Sequence, residues 1–252
     1  MRIIAAIVGL LLVGACARES AVERVEWPVM GTVGALQMKG GDAAKMIKED
    51  AATVRETFSK IEKLLNAHDA TSELSRLASA DDAVILASCD DFVRPCYRAA
   101  FKFRDVTDGR FNPRWRGAKT LDLGAIAKGY AVDVASRQLK AKPGVKALID
   151  LGGNLKAVGG DWMVAIAGSE RMVTLKDGMA CATSGEYFRG RHIRDGRSGA
   201  ELKTKIFSVT VIHPDSAMIA DALSTIMFIL GKEKGDAFLK THHPESTAIW
   251  LE

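Results

Sequence analysis

The sequence predicts an α+β fold, with mixed or antiparallel sheets and helices packed on them. Three observations carry this reading. Apolar residues between Asp42 and Leu65 (Ala44, Ile47, Ala51, Val54, Phe58, Ile61, Leu65) recur at spacings of three and four, the period of a long amphipathic helix. The second half of the chain is dominated by short strand-like runs between turn residues, such as "KALIDL" and "KIFSVTVIHP". Neither an internal repeat nor a low-complexity segment accompanies them, so sheets with packed helices are expected in place of a repeat array.

The chain has 252 residues, 48% hydrophobic and 26% charged, enough apolar mass for one large domain or two intimate lobes. Its formal net charge is +4, and the basic residues are scattered along the whole length. That distribution argues against nucleic acid as a main partner.

From the N-terminus, Arg2 precedes the apolar run "IIAAIVGLLLV", then "GAC" and the polar "ARES". The run is too short to span a bilayer and reads as a signal-peptide core over residues 1 to 15. The order Val13, Gly14, Ala15, Cys16 resembles a bacterial lipobox, with Cys16 as the lipid-bearing first mature residue; an ordinary cleaved signal is the simpler alternative. Ala17 supplies no acidic retention signal. The expectation is a lipid anchor on the periplasmic side of a membrane, the outer one before the inner.

Residues 16 to 26 read as a polar tether. "WPVMGTVGALQMKG" reads as a first strand with a close-approach segment at Met30, Gly31 and Thr32, followed by the Asp42–Leu65 helix. After a polar loop, a second helix is expected from Asp90 to about Asp105, ended by "TDGRFNP". The central "TLDLGAIAKGYAVDVASRQL" predicts a short strand and then a helix from Ala125 to about Leu139. Strands are expected at "KALIDL", "WMVAIAG", "RMVTLK", "MACATS" and "KIFSVTVIHP". Ser216 is the expected N-cap of the helix "IADALSTIMFILG", with Gly231 at its end, and a short helix and the strand "STAIWLE" close the chain. Cys89 and Cys96 would lie roughly 10 Å apart along one helix, beyond disulfide reach, so free or buried thiols are expected.

Three stretches could carry chemistry. Asp221 and Thr225, four apart, share one helix face, so their oxygens can converge on a hard cation such as magnesium. The bland alternative is a solvated Asp221 and a Thr225 bonded back to its own helix. In "LDLGAIAKGY", small residues at the start of a helix, with Asp122 before it and Lys128 just inside, suit a phosphate; they equally suit tight helix packing with Lys128 in water. In "HIRDGRSG", His192 among arginines could act as a general base, or lie idle on the surface.

Taken in order, "PVMGT", "TSELSRL", "GRFNP", "LDLGAIAKGYAVD", "DLGGN", "ATSG", "HIRDGRSG" and "ADALSTIMFILG" resemble the hallmarks of the FAD:protein FMN transferases, the ApbE family, over roughly residues 27 to 250. The resemblance implies a T-fold-like catalytic domain over 27 to 252 that splits FAD at its pyrophosphate. FMN would pass to a threonine of an acceptor flavoprotein, a redox-pump subunit or flavin carrier, as a phosphoester, with release of AMP. It further implies Asp221 and Thr225 as side-chain magnesium ligands, Ala125 as a backbone-carbonyl ligand, Met30 against the dinucleotide, Asp122 at the flavin and His192 as the base acting on the threonine. His68 stands where the family often has a tyrosine near the dinucleotide. "HIRDGRSG" lacks the proline of the family's "H-I-I-D-P-R-T-G". The stretch between "NPRWRG" and "LDLG" is short and leaves Trp115 and Gly117 nearby, which predicts a more open flavin pocket or a departure from the usual reaction. The competing functions are FAD hydrolysis to FMN and AMP, and a non-catalytic flavin-binding lipoprotein.

Overall fold

Met30 and Gly31 both take positive φ, 51° and 66°. Two consecutive left-handed residues form the tight turn whose twist suits a hairpin. The expected first strand is therefore two: β1 (Glu23–Val29) and β2 (Thr32–Lys39), paired antiparallel with Val29 opposite Thr32. β1 also begins inside the stretch read as tether. The computed structural model describes residues 21–139, 143–185 and 193–252; the signal segment, Cys16 and His192 lie outside the described residues.

After β2 come α1 (Ala43–Leu65), α2 (Glu73–Leu77), α3 (Asp82–Ser88), α4 (Arg94–Val106) and α5 (Ala127–Gln138). β3 (Lys146–Leu151), β4 (Asn154–Val158), β5 (Trp162–Ala165), β6 (Met172–Leu175), β7 (Ala180–Gly185) and β8 (Ser208–His213) follow, then α6 (Ala217–Leu230), α7 (Lys232–His242) and β9 (Thr247–Leu251). Seven strands form one sheet in the order β1-β2-β3-β4-β7-β8-β9, every neighbouring pair antiparallel, while β5 and β6 form a separate hairpin. The expectation of mixed or antiparallel sheets resolves to the antiparallel case.

The period of two along β3 divides its side chains between two cores. Ala147, Ile149 and Leu151 face the helices α1, α5 and α6, whereas Leu148 joins Trp162, Val164 and Leu175 of the small hairpin on the opposite face. On the helical side, Val54, Phe58 and Ile61 of α1 are fully buried.

Four expectations need correction. The second helix starts at Arg94, with Pro95 in its first turn where a missing N–H costs nothing; Asp90 to Val93 form a turn that separates it from α3. Cys89 caps α3 while Cys96 lies in α4, so they do not share a helix; both are buried and free, as is Cys181. Residues 120 to 123 form an irregular segment and not a strand, held by the Asp122 N–H on the Pro113 carbonyl (2.8 Å), and an additional strand, β4, follows the glycines 152 and 153.

Candidate active site

The helix that carries Asp221 and Thr225 is anchored at its start by another buried aspartate. Ser216 caps α6, its hydroxyl accepting the Ile219 N–H at 3.2 Å. Asp133, on α5, accepts the Ala217 N–H (2.9 Å), the Met218 N–H (3.0 Å) and the Ser216 hydroxyl (2.7 Å). A carboxylate there satisfies N–H groups that an α-helix leaves open and meets the positive end of the helix dipole. Lys156 of β4 holds Asp133 in turn at 2.8 Å and donates to the Asp215 carbonyl at 2.6 Å. The beginning of α6 is thus bound to α5 and to the sheet.

One turn further on, Asp221 is 5% exposed. Its Oδ2 accepts the Gly129 N–H from the first turn of α5 at 3.0 Å and lies 3.6 Å from the Lys128 ammonium. Burial raises the Asp221 pKa above the usual carboxylate range, with Lys128 acting in the opposite direction. Lys128 is itself largely withdrawn from water, its side chain 19% exposed, and donates to the Gly124 carbonyl at 2.9 Å. The approach of the two helices depends on Gly129: a Cβ there would stand 2.2 Å from the Ala217 carbonyl oxygen and 2.8 Å from the Asp221 Cβ. A solvated Asp221 and a Lys128 out in water are both excluded.

Thr225 shares a hydrogen bond of 3.1 Å with Ser184 of β7, and Ser184 shares another of 2.8 Å with the buried Ser224. Asp122 lies just before α5, its Oδ1 accepting the Gly124 N–H at 2.8 Å. Its Oδ2 takes the Trp115 indole N–H at 3.3 Å and faces Arg116 at 3.4 Å, and the Arg116 guanidinium lies 4.7 Å above the Trp115 ring. The shortened segment therefore folds over Asp122 with an aromatic surface and a cation.

Lys128, Asp221 and the Gly124 carbonyl come together where the start of α5 meets α6, while Thr225, one turn further along α6, is hydrogen-bonded to Ser184 of β7. Met30 and His68 belong to other parts of the network. The Met30 N–H, in the β1–β2 turn, donates to Glu62 of α1 at 2.8 Å. His68 is exposed beyond the end of α1, where its backbone N–H donates to the Asn66 side chain at 2.9 Å. Ser184, Asp133 and Gly129 gained no role from sequence reasoning, although "ATSG" and "GYAVD" contain them; each acts across a tertiary contact.

Among the described residues, the groups Asp221 and its surroundings offer a cation are oxygens, namely the Asp221 carboxylate, the Thr225 hydroxyl and the Gly124 carbonyl before α5, with the buried Cys96 thiol close enough to feel the Asp221 charge. Oxygen groups of this kind suit a hard cation such as magnesium. A buried carboxylate whose charge is only partly met by one lysine also fits a cation, while the first turn of α5 turns N–H groups toward the same corner.

A family model described as the ApbE family matches residues 115–250, just over half of the chain. A Klebsiella pneumoniae protein named FAD:protein FMN transferase is 40% identical over 134 residues, covering 48% of this chain and 42% of its own length. One of that name from Treponema pallidum is 36% identical over 148 residues, covering 48% and 40%. The chain thus aligns with less than half the length of these relatives. Among solved structures, the apo flavinyl transferase ApbE of Pseudomonas stutzeri superposes with a TM-score of 0.73 at 24% identity, over 93% of this chain and 96% of that one. The ApbE protein of Thermotoga maritima gives 0.74 at 21%, over 92% and 94%. At those identities the likeness is one of fold, and it extends to β1, β2 and α1, which the family model does not reach. By the match over residues 115–250, the chain belongs to the ApbE family.

Proposed function

We propose that this chain is a magnesium-dependent flavin transferase, passing FMN from FAD to a threonine of an acceptor flavoprotein through a phosphoester and releasing AMP. The observation that carries the reading is the buried Asp221 carboxylate beside Lys128 and the Gly129 N–H, with Thr225 one turn along. Asp221, Thr225 and the Ala125 carbonyl would hold the magnesium. When bound, the ion supplies charge neutralisation at the FAD pyrophosphate. Lys128 and the first N–H groups of α5 offer positive charge and donors for phosphate oxygens. Trp115, Arg116 and Asp122 present a stacking surface and a hydrogen-bonding edge for the flavin, and Met30 and His68 would complete the dinucleotide site. His192 would take the proton of the acceptor hydroxyl, a contribution of roughly a hundred- to ten-thousandfold in rate. A lipid on Cys16 would hold the domain at the periplasmic face of a membrane, the outer one in preference to the inner.

The test is incubation of the full chain with FAD, magnesium and a threonine-bearing acceptor, read by in-gel flavin fluorescence on the acceptor and by AMP release. Labelling that falls at least about a hundredfold in His192→Ala, with FAD binding retained, supports the assignment. FMN and AMP without labelling would make the protein a pyrophosphatase, and unaltered FAD would make it a binding protein. A mature N-terminal peptide without a diacylglyceryl cysteine would remove the anchor.

A further inference from the structure

A second group of ligand-type side chains lies away from the Asp221 corner. His213 ends β8, His243 caps the C-terminus of α7, and Glu245 lies in the loop leading to β9. One ligand atom from each falls within 4.8 Å of the others. The register places this group at a distance from the proposed flavin site. His213 pairs with Ala180 across β7 and β8, whereas Ser184, the partner of Thr225, pairs with Val209. Four residues along a strand is about 13 Å.

The distances are those of a coordination shell. His243 Nδ1 and Glu245 Oε1 are 3.2 Å apart, and His213 Nε2 and the same oxygen 3.4 Å. A tetrahedral ion with bonds of about 2.0 to 2.2 Å sets its ligands roughly 3.3 to 3.6 Å from one another. Two edges of the tetrahedron are thus already in place, and a small movement of the partly exposed His243 closes the third.

We propose that His213, His243 and Glu245 form a second metal site, for a borderline divalent ion of the zinc class, with water in the fourth position. Two imidazoles and one carboxylate favour zinc over magnesium, the reverse of the all-oxygen set at Asp221. His213 Nδ1 accepts the N–H groups of Asp215 (3.2 Å) and Ser216 (3.1 Å), so the metal-free ring carries its proton on Nε2, toward Glu245. When zinc takes the Nε2 lone pair, that proton moves to Nδ1, and the Asp215 and Ser216 N–H groups give up Nδ1 as their acceptor, a cost the metal–ligand bonds must exceed. Asp215 Oδ1, 3.0 Å away, accepts it, giving the carboxylate–histidine–metal arrangement that orients many such ligands. His243 likewise keeps one proton, on Nε2, and the site loses none overall. Bound zinc would join the end of α7 to the end of β8, three residues before the Ser216 cap of α6.

The experiment uses the full chain without an affinity tag. Zinc alone is titrated by calorimetry, and metal content is measured after dialysis. The expected result is one zinc per chain with micromolar or tighter affinity, undisturbed by millimolar magnesium, and affinity at least about tenfold weaker in both His243→Ala and Glu245→Gln. Those positions are more exposed than His213, so the variants should fold; circular dichroism checks this. Cobalt in place of zinc should show tetrahedral bands without thiolate charge transfer. Retention of no zinc, equal binding in wild type and both variants, or a thiolate band would overturn the site. None of these readouts depends on flavin transfer.

Discussion

At the scale of single residues, Asp221 joins two opposed requirements. A metal ligand must be ionised, yet burial favours the neutral acid. An unfolded aspartate titrates near 3.9, and the folded value is raised, so the native state binds the proton more tightly than the unfolded chain. The metal-free protein is therefore most favoured below that range, and stability is lost as pH rises through the elevated folded pKa, levelling off above it. Asp221→Asn keeps an oxygen for the Gly129 N–H and leaves Lys128 its bond to Gly124. In EDTA above neutral pH the variant should match or exceed wild type in stability, with a flatter pH profile and no thermal stabilisation by magnesium. Urea and thermal unfolding across pH decide it. A loss of about 3 to 5 kcal/mol in EDTA would instead mark Lys128 and Asp221 as a structural ion pair. The cysteines give a second prediction at this scale. Cys89, Cys96 and Cys181 are buried, and burial pushes the Cys181 thiol up to about 12. The thiolate is the reactive form. Alkylation of native protein, mapped by mass spectrometry, should leave peptides containing these three unmodified and label them after unfolding.

At the scale of elements, the contact between α5 and α6 decides whether the site exists. Gly129→Ala sets two effects against each other. Alanine is favoured over glycine within a helix by about 1 kcal/mol. Its Cβ, however, would meet backbone of α6 at 2.2 Å, which a rotamer change cannot relieve. Overpacking against backbone at so short a distance sits at the upper end of the usual cost of about 1 to 3 kcal/mol, so the variant should be less stable by about 2 kcal/mol in urea after the helix-propensity gain and bind magnesium more weakly. Equal or greater stability would show that the helices can separate freely. The same contact explains what could be read in advance. The periodicity from Asp42 to Leu65 and the Ser216 cap are local signals, and α1 and α6 lie where those signals put them. The spacing of Asp221 and Thr225 placed two oxygens on one face without indicating what that face met. β4 escaped because Lys156 interrupts its short apolar pattern, and that lysine is spent on Asp133 of α5. Ser184 and Gly129 escaped for the same reason, since their partners lie dozens of residues away in the chain.

At the scale of the whole molecule, the extent of sequence similarity and the extent of the folding unit differ. The family match begins at Trp115, yet β3 pairs with β2 over six residues and α1 covers the helical side of the core. A fragment of residues 115 to 250 would keep Asp122, Lys128, Asp221 and Thr225 while losing β1, β2 and α1 to α4. Leu36, Met38, Val54, Phe58, Ile61 and Leu65 all belong to the buried core. At about 1.5 to 3 kcal/mol for each buried apolar side chain, these six alone are worth roughly 10 kcal/mol or more, comparable to the net stability of about 5 to 15 kcal/mol of an ordinary domain. The fragment would also expose β3 as an open edge with unpaired N–H and C=O groups, an invitation to self-association. It should therefore be aggregated or lack fixed side-chain packing, without near-UV dichroism or a cooperative transition, whereas residues 21 to 252 unfold in one. A cooperative transition and magnesium binding by the fragment would show that the site needs only its own half of the chain. Failure of the fragment, with the longer chain folded, would place the organisation of the Asp221 corner in the pairing of both halves, because α5 is held against α6 on one side by Asp133 and packed on the other by α1.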